Sequence, residues 1–118
     1  MSVVLIVEDD DDLRESLAEV LTLRGFDAVA AANGREALDM LKAGLSPCLI
    51  LLDLMLPVMS GWEFRELQRA NPIISQIPTV VISGINNPEK EAATLGAAGF
   101  VPKPINLDLL YETLAQHC

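Results

Sequence analysis

The stretch CLILLDLMLPVMSG (48–61) decides the fold: an unbroken apolar run ends abruptly in a single aspartate, and a loop marked by Pro57 and Gly61 follows. A run of this length bounded by turn residues reads as a fully buried strand. A charged residue placed directly after it needs a reason, because Asp53 has no capping or turn role of its own. The same grammar recurs outward in both directions. VVLIV (3–7) delivers Glu8 and Asp9, TVVI (79–82) delivers Ser83, and GFVP (99–102) delivers Lys103.

Between these runs the period changes from strand to helix. Leu13, Leu17, Val20 and Leu21 share one helical face that starts near Asp12 and stops at Gly25 after Arg24, and Asp10 or Asp11 can cap it. Residues 27–31 make a second, less hydrophobic strand nearer the sheet edge. Asn33 caps a helix running to about Ala43, with Ala37, Leu38 and Leu41 inward and Gly44 as the stop. A helix over 61–70 carries Phe64 and Leu67 as its apolar positions and a partly exposed Trp62. Asn87-Pro88 starts the next helix, with Glu89 and Glu91 near its positive end, and Gly96 and Gly99 close it. Asn106 caps the last, whose Leu107, Leu110 and Leu114 face inward.

Five strand–helix units without linker or repeat, all with continuous apolar strands, predict an α/β fold with a parallel sheet covered on both faces. Right-handed crossovers leave two familiar doubly wound orders, and five units favour the flavodoxin-like order 2-1-3-4-5. That order sets strands one and three side by side and brings Glu8 and Asp9 next to Asp53. Ligands of such sheets bind at the carboxyl ends of the strands.

At 118 residues the chain, 1–118, reads as one domain burying about two-thirds of its unfolded-chain surface. No apolar run approaches the roughly 20 residues of a membrane span. The apolar N-terminus lacks a preceding basic segment and is followed at once by acids, which argues against a signal peptide and for the cytoplasm. Eight Lys and Arg against 17 Asp and Glu give a formal charge of −9, which repels nucleic acid and anionic lipid. The two cysteines have no metal-ligand spacing. Cys48 reads as a small core residue opening a strand, Cys118 as terminal, and a disulfide framework is not expected.

Three carboxylates converging on one edge call for a divalent cation, since their mutual repulsion costs energy without one. Asp9 is the expected direct ligand. Glu8 is placed one shell out, through water, because magnesium keeps several waters. Asp10, Asp11 and Asp12 read as a solvated, helix-capping turn. Asp53 can serve as ligand and nucleophile together, the latter giving an aspartyl phosphate. Lys103, held between Pro102 and Pro104, supplies a point charge for a carboxylate or phosphoryl oxygen, and the Ser83 hydroxyl can donate to the same group.

These pieces, VEDD, LLDLMLPVMSG, VVISG and FVPKP in this order, make the chain resemble receiver domains of bacterial two-component response regulators, the CheY-like superfamily, over its whole length. The resemblance implies that Asp53 accepts phosphate from a phosphohistidine on a sensor histidine kinase or histidine phosphotransfer protein. It implies Mg²⁺ held by Glu8, Asp9, Asp53 and the backbone carbonyl of Met55, phosphoryl oxygens bound by Ser83 and Lys103, and a loop shaped by Pro57 and Gly61. Phe100 would be the aromatic switch residue, lacking the hydroxyl of the tyrosine often found there. Met55 and Ile85, two beyond Asp53 and Ser83, would flank the phosphoryl group and restrict water. Such a domain catalyses its own phosphorylation and dephosphorylation without being a conventional turnover enzyme, and it controls a downstream protein or an attached output domain. An aspartate-nucleophile phosphatase would need a second acid where Met55 stands, and a dinucleotide carrier would need a glycine-rich first turn that is acidic here. A purely structural module of the same fold would not need the complete site.

Overall fold

The computed structural model describes residues 2–118. The elements alternate as β1 (Val3–Val7), α1 (Asp11–Leu23), β2 (Asp27–Ala31), α2 (Gly34–Lys42), β3 (Leu49–Asp53), α3 (Gly61–Ala70), β4 (Thr79–Ser83), α4 (Pro88–Thr94), β5 (Gly99–Pro102) and α5 (Leu107–His117). The strands form one parallel sheet in the order β2-β1-β3-β4-β5, as the alternation of periods predicts.

Successive strand side chains point to opposite faces, so each strand feeds two cores. Leu5, Val7, Ile50, Leu52 and Val81 meet α2, α3 and α4 through Leu38, Leu41, Phe64, Ala92 and Leu95. Val4, Ile6, Leu49, Leu51, Val80, Ile82 and Val101 meet α1 and α5 through Leu17, Leu21, Leu110 and Leu114. Burial on both faces is why β1 and β3 carry no polar residue before their last positions, while β4 opens on a buried Thr79 whose hydroxyl donates to Gln68 Oε1 at 3.0 Å. The edge strand β2 is only half-buried, matching its weaker hydrophobicity.

The helix starts follow their capping residues. Asp10, Asn33, Ser60 and Asn106 each accept a backbone N–H three residues on, which resolves the choice at α1 in favour of Asp10. Asn87-Pro88 starts α4 as expected, but Asn87 has φ 56° and makes no side-chain capping bond. Asparagine tolerates this left-handed backbone, so here it turns the chain rather than capping it. Gly96, with φ 62°, ends the helical segment, while Gly99 already belongs to β5.

Two inward assignments are corrected. Leu67 and Leu107 are 40% and 45% exposed. In α3 the inward positions beside Phe64 are taken by Arg65 and Gln68. Arg65 Nε and Nη2 donate to the carbonyls of Leu95 and Gly96 at 3.0 and 2.9 Å, and Gln68 Nε2 donates to Ile74 O and Ile77 O at 3.0 and 3.1 Å. The α3 face meets main-chain carbonyls at the end of α4 and in the following loop, so buried donors serve better there than leucine.

Cys48 is likewise not a free core thiol. It precedes β3 and is bonded to Cys118, with a Cα–Cα separation of 5.5 Å. The sheet order brings the start of β3 and the end of α5 to one pole of the molecule, a proximity that a sequence separation of 70 conceals. Among the described residues no helix is long and apolar enough to cross a membrane.

Candidate functional site

Strand register sets the site. Val7 pairs with Leu52, Asp53 with Ile82, and Ser83 with Pro102, so Glu8, Asp53, Ser83 and Lys103 emerge together at the carboxyl edge. The Lys103 N–H donates to Ser83 O at 2.9 Å, tying the last two strand ends together.

Glu8 is fully buried, Asp53 is 4% exposed, and Asp9 faces solvent. One carboxylate oxygen from each lies within 4.8 Å of the others. Lys103 Nζ reaches into this group, 2.6 Å from Glu8 Oε1 and 3.0 Å from Asp53 Oδ2. The second Asp53 oxygen, Oδ1, accepts the Leu54 N–H at 2.7 Å and, more weakly, the Met55 N–H at 3.4 Å. The nucleophile assigned from sequence is therefore held by charge on one oxygen and by main chain on the other.

Glu8 pairs through Oε1 with the Lys103 ammonium at 2.6 Å, and its Oε2 accepts the Asp10 N–H at 3.3 Å. With Asp9 and Asp53 it offers an oxygen-only donor set, which fits a hard cation such as Mg²⁺ and not a soft one. Glu8, expected one shell out, thus lies within the same cluster as the other two carboxylates.

The electrostatics follow from crowding. Burial, only partly offset by Lys103 and reinforced by the Asp53 charge, pushes the Glu8 carboxyl up to about 7. Burial alone would depress the Lys103 ammonium, but its bonds to Glu8 and Asp53 outweigh that and raise it. In the unfolded chain Glu8 titrates near 4.5, so the folded state holds the extra proton between the two values. Its contribution to stability is therefore fully present below about 4.5 and lost as pH rises through about 7. In chelator-treated buffer the thermal midpoint should fall by several degrees across that window, and Glu8→Gln should flatten the fall. A parent and variant with parallel pH profiles would rule Glu8 out as its source.

The remaining assigned residues surround this cluster at different distances. The Ser83 side chain is buried, its Oγ accepting the Ile85 N–H at 3.1 Å, while Ile85 is half-buried. Met55 is 63% exposed beside the site. Pro57 and Gly61 bracket a tight return. Met59 N–H donates to Pro57 O at 2.7 Å across Val58, whose φ of 66° is strained for a β-branched residue. The Gly61 N–H then donates to Leu54 O at 2.9 Å. Phe100 stands apart from the carboxylates, half-buried near the start of β5.

Sequence reading missed Arg14. Its Nη1 donates to Glu8 O at 2.9 Å and its Nη2 pairs with Asp11, so it braces the acidic loop from the first turns of α1. The signal was available as an Asp11–Arg14 pair at helical spacing. Trp62 was placed as partly exposed, but its Nε1–H donation to Glu91 Oε2 at 2.9 Å, linking α3 to α4, had no sequence signal.

This geometry matches known proteins. Residues 4–115 match the family described as the response regulator receiver domain. A cyclic di-GMP phosphodiesterase of Thermotoga maritima is 37% identical over 110 residues, 91% of this chain and 28% of that protein. A CpxR homolog, a transcriptional regulatory protein of Haemophilus influenzae, is 37% identical over 109 residues, 90% of this chain and 45% of that one. The chain thus spans between about a quarter and a half of these relatives. The chemotaxis protein CheY4 of Vibrio cholerae superposes with a TM-score of 0.89 at 31% identity, covering 100% of this chain and 99% of that one. The response regulator TrrA of Thermotoga maritima, solved in complex with Mg²⁺ and BeF, superposes with a TM-score of 0.88 at 27% identity, covering 100% of both chains. Sequence, sheet order and the carboxylate–lysine edge agree, and the chain belongs to the response regulator receiver family.

Proposed function

We propose that Asp53 is the phospho-acceptor of this receiver and that the surface around Phe100 carries its signal to a protein partner. The observation that supports this most directly is the Asp53 carboxylate itself, buried at a strand end between Lys103 at 3.0 Å and the two other acids. An Asp53 carboxylate oxygen attacks phosphorus, the new O–P bond forms as the P–N bond to a donor imidazole breaks, and the imidazole leaves with the electron pair. The donor is a histidine kinase or histidine phosphotransfer protein. Asp9, Asp53 and the Met55 carbonyl hold Mg²⁺, with Glu8 close enough to share it directly or through water. Bound there, Mg²⁺ supplies positive charge against the carboxylates and the incoming phosphoryl group.

The chain's own residues do the rest. Lys103 already pairs with Asp53 and follows the charge onto the new oxygens. Ser83 exchanges its acceptor role toward Ile85 for donation to phosphate, which shifts the loop after β4. That shift makes room for Phe100 and biases a two-state surface. Met55 and Ile85 carry no group able to orient or deprotonate water, which favours a long-lived phosphorylated form. Pro57 and Gly61 fix the loop that aims Asp53. The output is a separate protein or an attached domain, since relatives carry this unit in longer chains.

The test is intact-mass analysis after rapid quenching of the protein with acetyl phosphate and Mg²⁺. One phosphoryl adduct, lost when a chelator is added, is expected; no adduct under any divalent cation defeats the reading. Asp9→Ala should fold normally yet weaken Mg²⁺ binding by roughly tenfold or more, since even groups one shell from a metal contribute on that scale. Titration calorimetry giving the parent affinity in Asp9→Ala would remove it from the ligand set.

A further inference from the structure

The Cys48–Cys118 bond sits at the pole of the sheet opposite Asp53, and the phosphoryl chemistry makes no use of it. Cys118 is exposed and Cys48 half-buried. Each is fastened to a different part of the fold. The Cys118 N–H donates to Leu114 O at 2.8 Å, closing α5, and the Cys48 N–H donates to Val3 O at 2.8 Å, joining β1. We propose that this pair is a reversible thiol–disulfide site that locks the last turn of α5 onto the start of β3.

Both states have a place in the structure. The Cα–Cα separation of 5.5 Å in the closed state lies where bridged cysteines ordinarily sit. When the bond is open, the Cys48 sulfur, 3.3 Å from the Val3 carbonyl, has an acceptor for its S–H. The lock acts on something beyond itself. Gln116 and His117 directly precede Cys118 and, with Leu109 and Phe100, line a cavity of about 280 Å³ between α5 and β5. Opening the bond loosens one wall of the cavity that Phe100 borders.

The co-reactant is a low-molecular-weight disulfide such as oxidised glutathione. The exposed Cys118 thiolate attacks one of its sulfurs, forming a mixed disulfide and releasing one thiolate. The Cys48 thiolate then attacks the Cys118 sulfur and releases the second. The two protein sulfurs are oxidised, the reagent's two sulfurs are reduced, and the protons of the protein thiols pass through solvent to the released thiolates. Reduction runs in reverse, with the incoming thiolate attacking Cys118. In a reducing compartment such a bond is transient and redox-sensing rather than a permanent staple.

The purified protein is equilibrated with graded ratios of reduced to oxidised glutathione, acid-quenched, alkylated and weighed intact. Conversion between zero and two alkylated cysteines, without a lasting glutathione adduct, is expected. The oxidised form should melt higher by roughly 10 °C and should show slower amide exchange over residues 107–118. Cys118→Ser, at an exposed position, should show neither dependence. Two alkylations at every ratio, stable glutathione adducts, or a disulfide-linked dimer would overturn the proposal. So would full conversion that leaves amide exchange over 107–118 unchanged.

Discussion

Asp53→Asn takes up no phosphate from acetyl phosphate in Mg²⁺, where the parent takes up one phosphoryl group. The substitution is close to isosteric. The amide oxygen can still accept the Leu54 N–H that now bonds Oδ1 at 2.7 Å, and Lys103 keeps Glu8 at 2.6 Å. What disappears is the anionic nucleophile and one of three crowded charges. Folding should therefore survive within about 1 kcal/mol, and relief of the Asp53 charge should let the Glu8 carboxyl fall from its raised value. The loss of the adduct is all-or-none because Glu8, the other carboxylate paired with Lys103, is fully buried. Equal adduct yield in Asp53→Asn, read by intact mass after rapid quenching, would move the acceptor elsewhere. A melting midpoint in the parent's range separates this result from misfolding.

Gly61→Ala should cost about 3 kcal/mol, the upper part of the range for overpacking a close-packed site. A Cβ built there falls 2.2 Å from Asp53 O and 2.6 Å from Leu54 Cα. Both neighbours are main chain, so no rotamer change relieves the contact. The loop must move, and with it the carbonyl side of Asp53 and the Gly61 N–H bond to Leu54 O. Phosphorylation should slow as well, since the acceptor's own backbone is displaced. Gly84→Ala is the control: its Cβ meets nothing nearer than Lys103 Cβ at 3.8 Å, an ordinary contact. Urea unfolding decides the matter, and a Gly61→Ala midpoint no lower than that of Gly84→Ala would sink the argument.

The parts legible in sequence were those where one residue breaks a strong pattern. Asp53, Ser83 and Lys103 each end or follow an apolar strand, and period alone placed them at one edge. The sheet order then set Glu8 beside Asp53 without any knowledge of side-chain contacts. Hydropathy failed where burial is satisfied by hydrogen bonds instead. Leu67 and Leu107 read as inward because they are apolar, while the polar Arg65 and Gln68 fill interior positions against main-chain carbonyls. The cysteine bond was invisible for a third reason: two residues separated by 70 positions leave no local trace of their meeting. Asn87-Pro88 marks the start of α4 in the sequence, but the left-handed backbone of Asn87 is set by the loop it must turn.

Arg65 carries a consequence for recombination within the family. The seven-residue α4 is too short to persist alone, and the carbonyls of Leu95 and Gly96 at its end are received by a side chain from α3. Its helicity is thus on loan from another element. A chimera that grafts only the α4 stretch onto a sibling scaffold brings two acceptors and leaves their donor behind. The smallest transplantable module runs from Gly61 to Gly96, and breakpoints drawn between Ala70 and Pro88 should yield hybrids with a frayed fourth helix.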